Sequence, residues 1–202
     1  MKISGGLRIA AIVAAGLVAG CAPSGRVRAQ DEDRPVGYRA AGAPEYERLI
    51  ESAVGALLDS QASHVRAQGK MPVAFIGIEN KTAEEMGDIR DAMYEIVDTQ
   101  LVNRAVYTPV NRRYVEAAER EAGIRSPEDL LLPPARARFL QVIGQQGLTP
   151  DFLLWARVTS MTTETSRSSR DRDYLLSMEM VNASTGETVA KKTAKITKEY
   201  KD

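Results

Sequence analysis

Apolar residues recur three and four apart at Tyr46, Leu49, Ile50, Ala53, Val54, Leu57 and Leu58, which predicts an amphipathic helix from Pro44 to about Arg66, closed by Gly69. Met71-Pro-Val-Ala-Phe-Ile-Gly-Ile is a short, nearly continuous apolar run, the pattern of a strand covered on both faces. Asn80-Lys81-Thr82 then turns the chain. Thr82 with Glu85 matches a capping box and opens a helix carrying Met86, Ile89, Met93, Ile96, Val97 and Leu101 inward. Asn103-Arg104 ends that helix, and Ala105 to Val110 predicts a second short strand. Asn111 is placed to cap a helix from Arg112 to Ala122, with Gly123 at its stop. Ser126-Pro127-Glu128-Asp129 matches another helix start, Pro133-Pro134 a break about a turn later, and Phe139, Leu140 and Ile143 one more helix ending near Gly147.

After Thr149-Pro150 the period changes to two. Phe152, Leu154, Ala156 and Val158 alternate with Leu153, Trp155, Arg157 and Thr159, and Leu176, Met178 and Met180 alternate with Leu175, Ser177 and Glu179. These predict consecutive strands joined through the polar segment Thr162 to Arg172. Asn182-Ala-Ser-Thr-Gly186-Glu187 is a turn signal, because Gly186 takes φ > 0 without strain, and Thr188 to Lys198 supplies a last strand. The order α, β, α, β, α, α, β, β, β defines a single α/β domain, a small mixed sheet flanked by helices and finished by C-terminal antiparallel strands.

The first twenty residues follow neither period. Lys2 and Arg8 precede an apolar run from Ile9 to Val18, with no acidic residue. That is the layout of a secretory signal peptide, and about ten apolar residues are half of what a membrane-spanning helix needs. Leu17-Val18-Ala19-Gly20-Cys21 resembles a lipobox, with small residues ahead of a thiol that can receive a diacylglyceryl group. The bland alternative is a chance cysteine behind an ordinary cleavage site. Residues 1–20 are thus expected as a lipoprotein signal peptide and Cys21 as the lipid-attachment site holding the chain to a membrane. Ala22 in place of aspartate matches forwarding to the outer membrane in a diderm envelope, with the domain facing the periplasm. From residue 21 to 44 the chain is polar and rich in Ala, Gly and Pro, a flexible tether of roughly 75–80 Å when stretched. Residues 45–202 form the folded domain.

Composition narrows the function classes. Without residues 1–20 the chain keeps 25 basic against 27 acidic residues, a charge of −2, so nucleic acid is not suggested as a partner. Cys21 is the only cysteine, so once acylated it leaves no disulfide or thiolate metal site. His64, the only histidine, lies near the end of the first helix, where a solvated or dipole-facing role is favoured over catalysis. No phosphate-cradling glycine motif occurs. Glu84-Glu85 and Glu128-Asp129 fall at predicted helix starts, where capping outweighs acid/base work. Trp155 fits a core strand better than a ligand platform. No catalytic residue, metal ligand or cofactor is therefore expected. Two basic features remain as candidate partner-binding groups. Arg167, Arg170 and Arg172 lie in the charged hairpin connection, against a bland reading of solubility. Lys191 and Lys195 lie on the last strand, against a bland reading of edge protection.

Several motifs in this order resemble the penicillin-binding protein activator LpoB family of outer-membrane lipoproteins: Asn80-Lys81-Thr82 after the first strand, Ala122-Gly123-Ile124 to Ser126-Pro127-Glu128-Asp129, Pro150-Asp151-Phe-Leu-Leu opening a strand, and Met178-Glu-Met-Val with Thr185-Gly186-Glu187 in the terminal hairpin. The resemblance covers about residues 70–197. It implies a monomeric, non-enzymatic regulator that binds and activates a bifunctional penicillin-binding protein in peptidoglycan synthesis. A tether of about 22 residues is short for that task. The alternative is an envelope lipoprotein with another binding role, or an assembly or secretion role like that of CsgG, which shares a related domain. A pore needs apolar outward-facing strands, and Thr159 to Asp173 is polar and charged but for Met161.

Overall fold

The computed structural model describes residues 41–66, 70–166 and 169–201. Helix α1 (Ala43–Arg66) leads into β1 (Met71–Asn80), α2 (Gly87–Asn103), β2 (Tyr107–Pro109) and α3 (Arg112–Ala122). A short 3-10 turn (Pro127–Leu131) and α4 (Pro133–Gln145) precede three long strands, β3 (Phe152–Ser166), β4 (Ser169–Asn182) and β5 (Thr188–Lys201). The five strands form one mixed sheet in the order β2-β1-β3-β4-β5, with β1 parallel to β2 and β3 and the last three strands antiparallel. The expected element order and α/β architecture stand. Cys21, Gly69 and Arg167 lie outside the described residues.

Helices cover both faces of the sheet. On one, the α1 stripe joins Met93, Val97 and Leu101 of α2 over Leu154, Ala156 and Val158 of β3 and Leu176, Met178 and Met180 of β4. Leu49, Ile50, Leu57 and Leu58 are fully buried there, each worth about 1.5–3 kcal/mol. On the other face, Val115, Ala118, Phe139 and Ile143 of α3 and α4 pack on Ala74, Ile76, Leu153 and Trp155. Trp155 is a core residue, 5% exposed. β1 is covered on both faces, which is why its sequence is apolar without alternation.

Local chemistry sets the boundaries. Asn111 accepts a hydrogen bond from the Arg113 N–H (3.0 Å), and Gly123 takes the left-handed conformation (φ 72°) that ends α3. The Thr82–Glu85 capping box does not form, because Asn80 Oδ1 captures both the Thr82 N–H (2.9 Å) and hydroxyl (2.7 Å). That local turn satisfies the polar groups a cap would use, and α2 starts only at Gly87. Nor are Pro133 and Pro134 merely a break: they occupy the first turn of α4, where a missing N–H costs nothing. The second strand is shorter than its apolar run and ends at Pro109.

The largest departure lies in the terminal hairpin. Thr162 to Arg172, expected as a connection, is strand on both sides, with Thr162 paired to Arg172 and Thr163 to Asp171. No glycine or proline interrupts residues 159–173, and threonine suits a pleated surface. Once β3 and β4 are in register, each further pair satisfies its own backbone groups, so polarity alone does not end the ladder.

Candidate functional site

Among the described residues, no helix covers the second face of β3, β4 and β5 beyond the α3 and α4 contact. Met161 (63%), Leu175 (37%) and Val189 (39%) are exposed. Cross-strand pairs hold this open face in order. Lys191 reaches Glu179 at 3.1 Å and Lys195 reaches Asp173 at 2.9 Å, while the Thr197 hydroxyl donates to Asp173 at 2.6 Å. The Thr197 and Lys195 contacts hold the Asp173 carboxyl below its ordinary value. Toward β1, Arg157 bridges Glu79 (2.6 Å) and Glu128, and Lys81 closes on Glu79 at 2.6 Å. Burial pushes the Glu79 carboxyl up, but Lys81 and Arg157 together bring it below the usual range. The face is thus a lattice of paired charges around a few apolar side chains.

The candidate basic residues do not form one patch. Lys191 and Lys195 share the open face, with side chains a little over half exposed. Arg172 points the opposite way: its guanidinium pairs with Glu84 at 2.8 Å and lies 5.6 Å from the Tyr174 ring centre. The Tyr174 hydroxyl donates to Glu84 (2.9 Å) and accepts the Ala41 N–H (2.9 Å). Burial raises the Tyr174 pKa. Glu84 therefore serves a buried polar cluster rather than a helix terminus, and that cluster fastens Ala41 to the sheet. Arg170 lies within β4, opposite Tyr200.

Two clefts flank Tyr94 of α2. One, about 420 Å³, opens between α2 and α3, where Arg112 stacks 4.0 Å over the Tyr94 ring and pairs with Asp91 (2.9 Å) and Glu116 (2.7 Å). The other, about 310 Å³, lies between β1 and α3 and is lined by Glu119. Burial, then Glu116, pushes the Glu119 carboxyl up to about 7 from 4.5. In this interval the folded state binds the proton and the unfolded chain does not, so stability falls as pH rises from 4.5 to about 7 and levels off above. Glu119→Gln is expected to raise stability by about 1–3 kcal/mol at pH 8 and to leave it unchanged at pH 4. Urea titrations at the two pH values check this; equal effects at both would contradict it.

Sequence reasoning missed Arg136, which is 6% exposed and donates to the carbonyls of Leu130, Leu131 and Thr185. A signal existed, since Arg136 falls in the same stripe as Phe139 and Ile143. Among the described residues, no group of three or more His, Cys, Asp or Glu is placed to hold a metal ion, and no helix is long and apolar enough to cross a membrane.

These features define an α/β domain with a sheet face of cross-strand charge pairs. The family model of the peptidoglycan-synthase activator LpoB matches residues 45–196, and the chain belongs to that family. No curated protein sequence matches it. Among solved structures, the C-terminal domain of Escherichia coli LpoB is 16% identical, with a TM-score of 0.50, covering 76% of this chain and 99% of that one. The Salmonella enterica LpoB C-terminal domain is 16% identical, TM-score 0.48, covering 75% and 98%. Lipoprotein GNA1162 from Neisseria meningitidis is 14% identical, TM-score 0.47, covering 64% and 83%.

Proposed function

We propose that this protein is an outer-membrane lipoprotein, anchored through Cys21, that binds a bifunctional penicillin-binding protein and raises its rate of glycan-strand synthesis. The family match over residues 45–196 carries this reading, because it spans nearly the whole described domain. The open β3–β5 face supports it: a surface of paired charges around isolated apolar residues suits contact with a folded partner, where charge sets orientation and encounter rate. The hairpin is longer than its sequence suggested, yet its tip, Thr162 to Asp173, remains polar and gives a lipid-facing pore wall no support.

Adding the chain from residue 21, with Cys21→Ala for solubility, to a bifunctional synthase of the same organism is expected to speed glycan polymerisation through a direct complex. No complex with any such synthase would end this reading. Lys191→Ala with Lys195→Ala should weaken the complex about tenfold. It should cost stability no more than about 1 kcal/mol per exposed pair. Surface plasmon resonance and thermal melting separate the two effects.

A further inference from the structure

β5 is the outer strand of the sheet. Which of its backbone groups face outward follows from the ladder. The Ala183 N–H donates to the Asp151 carbonyl (2.9 Å), so that pair is hydrogen-bonded. Stepping by two through the register, so are Leu153–Val181, Trp155–Glu179, Arg157–Ser177 and Thr159–Leu175. Odd-numbered residues of β4 therefore turn their N–H and C=O toward β3, and even-numbered ones toward β5. The Asn182 N–H, which donates to the Glu187 carbonyl at 2.9 Å, agrees. Opposite the even residues stand Ala190, Lys192, Ala194 and Ile196. The groups left facing outward belong to Lys191, Thr193, Lys195 and Thr197.

From Thr188 to Lys198 this strand carries four lysines and no acidic residue. Lysines on an edge deter pairing with another copy of the same edge, since like strips of charge repel. The same charge is complementary to an acidic strand. Among the described residues Lys191 pairs with Glu179 and Lys195 with Asp173, and each ammonium has three protons, enough for a second carboxylate.

We propose that the outer edge of β5 accepts an extended, acidic segment of a partner protein as a sixth strand, bonded to the backbone of Lys191, Thr193, Lys195 and Thr197 and held by Lys191 and Lys195. Backbone pairing supplies affinity and the lysines select the segment. This deepens the activator reading by naming what the synthase presents, and it rests on that reading only for the partner's identity.

The test uses the chain from residue 21 with Cys21→Ala, and a synthetic peptide of alternating Glu with Val or Thr against its Lys counterpart. The acidic peptide should slow amide exchange at residues 191, 193, 195 and 197 by about tenfold or more, leaving residues 192, 194 and 196 unaffected because β4 already protects them. Thr193→Pro removes one outward N–H without touching the inner ladder and should weaken peptide binding about tenfold. Lys191→Glu with Lys195→Glu should reverse the preference toward the Lys peptide, which keeps the test open if the proline variant fails to fold. Lack of acidic-peptide binding, or binding without protection of the odd-numbered amides, overturns the proposal. If both variants lose the peptide yet still bind the synthase, the edge is not its docking site, and the activator reading survives. If the parent binds the peptide but no synthase, the edge stands and the activator reading fails.

Discussion

Replacing Cys21 by alanine is expected to move the protein from the membrane fraction to the soluble fraction and to abolish its activity in cells, while the purified variant keeps its full effect on the synthase. The size of the effect follows from the anchor. Each buried methylene contributes about 0.8 kcal/mol, so a single chain binds marginally and two acyl chains hold a protein effectively permanently. Confinement to a membrane also converts partner capture into a local event at the high effective concentration a short tether allows. A secreted, unanchored domain forgoes both. Deleting residues 22–40 tests the complementary point: it spares Ala41, whose N–H is bound to Tyr174, and so should preserve binding in solution while lowering activity in cells. Retention of Cys21→Ala in the membrane fraction would contradict the lipid assignment. Loss of binding by the tether deletion would make residues 22–40 part of the interface.

Elements governed by nearby chemistry were legible before the structure. The stripe from Tyr46 to Leu58, the Asn111 cap with its Gly123 stop, and the Asn182 to Gly186 turn each depend on residues a few positions apart, and each forms as expected. Thr82 and Asn80 show where local reasoning divides, because two local motifs compete for the Thr82 N–H and hydroxyl and the tighter turn prevails. The hairpin shows a different limit. Its length is decided by register with a neighbouring strand, which a polar sequence of threonine and charge does not reveal. The candidate site divides for the same reason. Lys191 and Lys195 were recognisable as edge lysines, and β5 is the edge. Arg172 looked equivalent, but the period of two places it on the opposite face from Asp173, against the sequence-distant Glu84 in the polar cluster at Tyr174.

The loss of Arg136 should be the costliest change at any polar residue named here. Its guanidinium joins the end of the 3-10 turn to the β4–β5 turn, donating to Leu130 O (3.1 Å), Leu131 O (3.3 Å) and Thr185 O (3.1 Å). Gly186 completes the arrangement, since its φ of 80° and the guanidinium lying against it leave no room for a Cβ. Arg136→Ala strips partners from three carbonyls at a largely buried site and leaves a space the size of the lost side chain. The bond to Leu130 is buried and the other two partly so; an unmet buried acceptor costs about 1–3 kcal/mol, and the lost packing of the aliphatic stem adds to that, so a fall of about 2–4 kcal/mol is expected. Such a loss is a large part of the 5–15 kcal/mol typical of a domain. Arg136→Lys should recover only part of it, because an ammonium on a flexible stem does not reproduce a planar fork aimed at two separate turns. Gly186→Ala should also destabilise the domain, but less in the Arg136→Ala background, where the steric conflict is gone and only the φ penalty remains. Urea midpoints for the two single variants and the double variant close that cycle. Strict additivity, or a drop below about 1 kcal/mol for Arg136→Ala, would show that the two turns are held by something other than this cation.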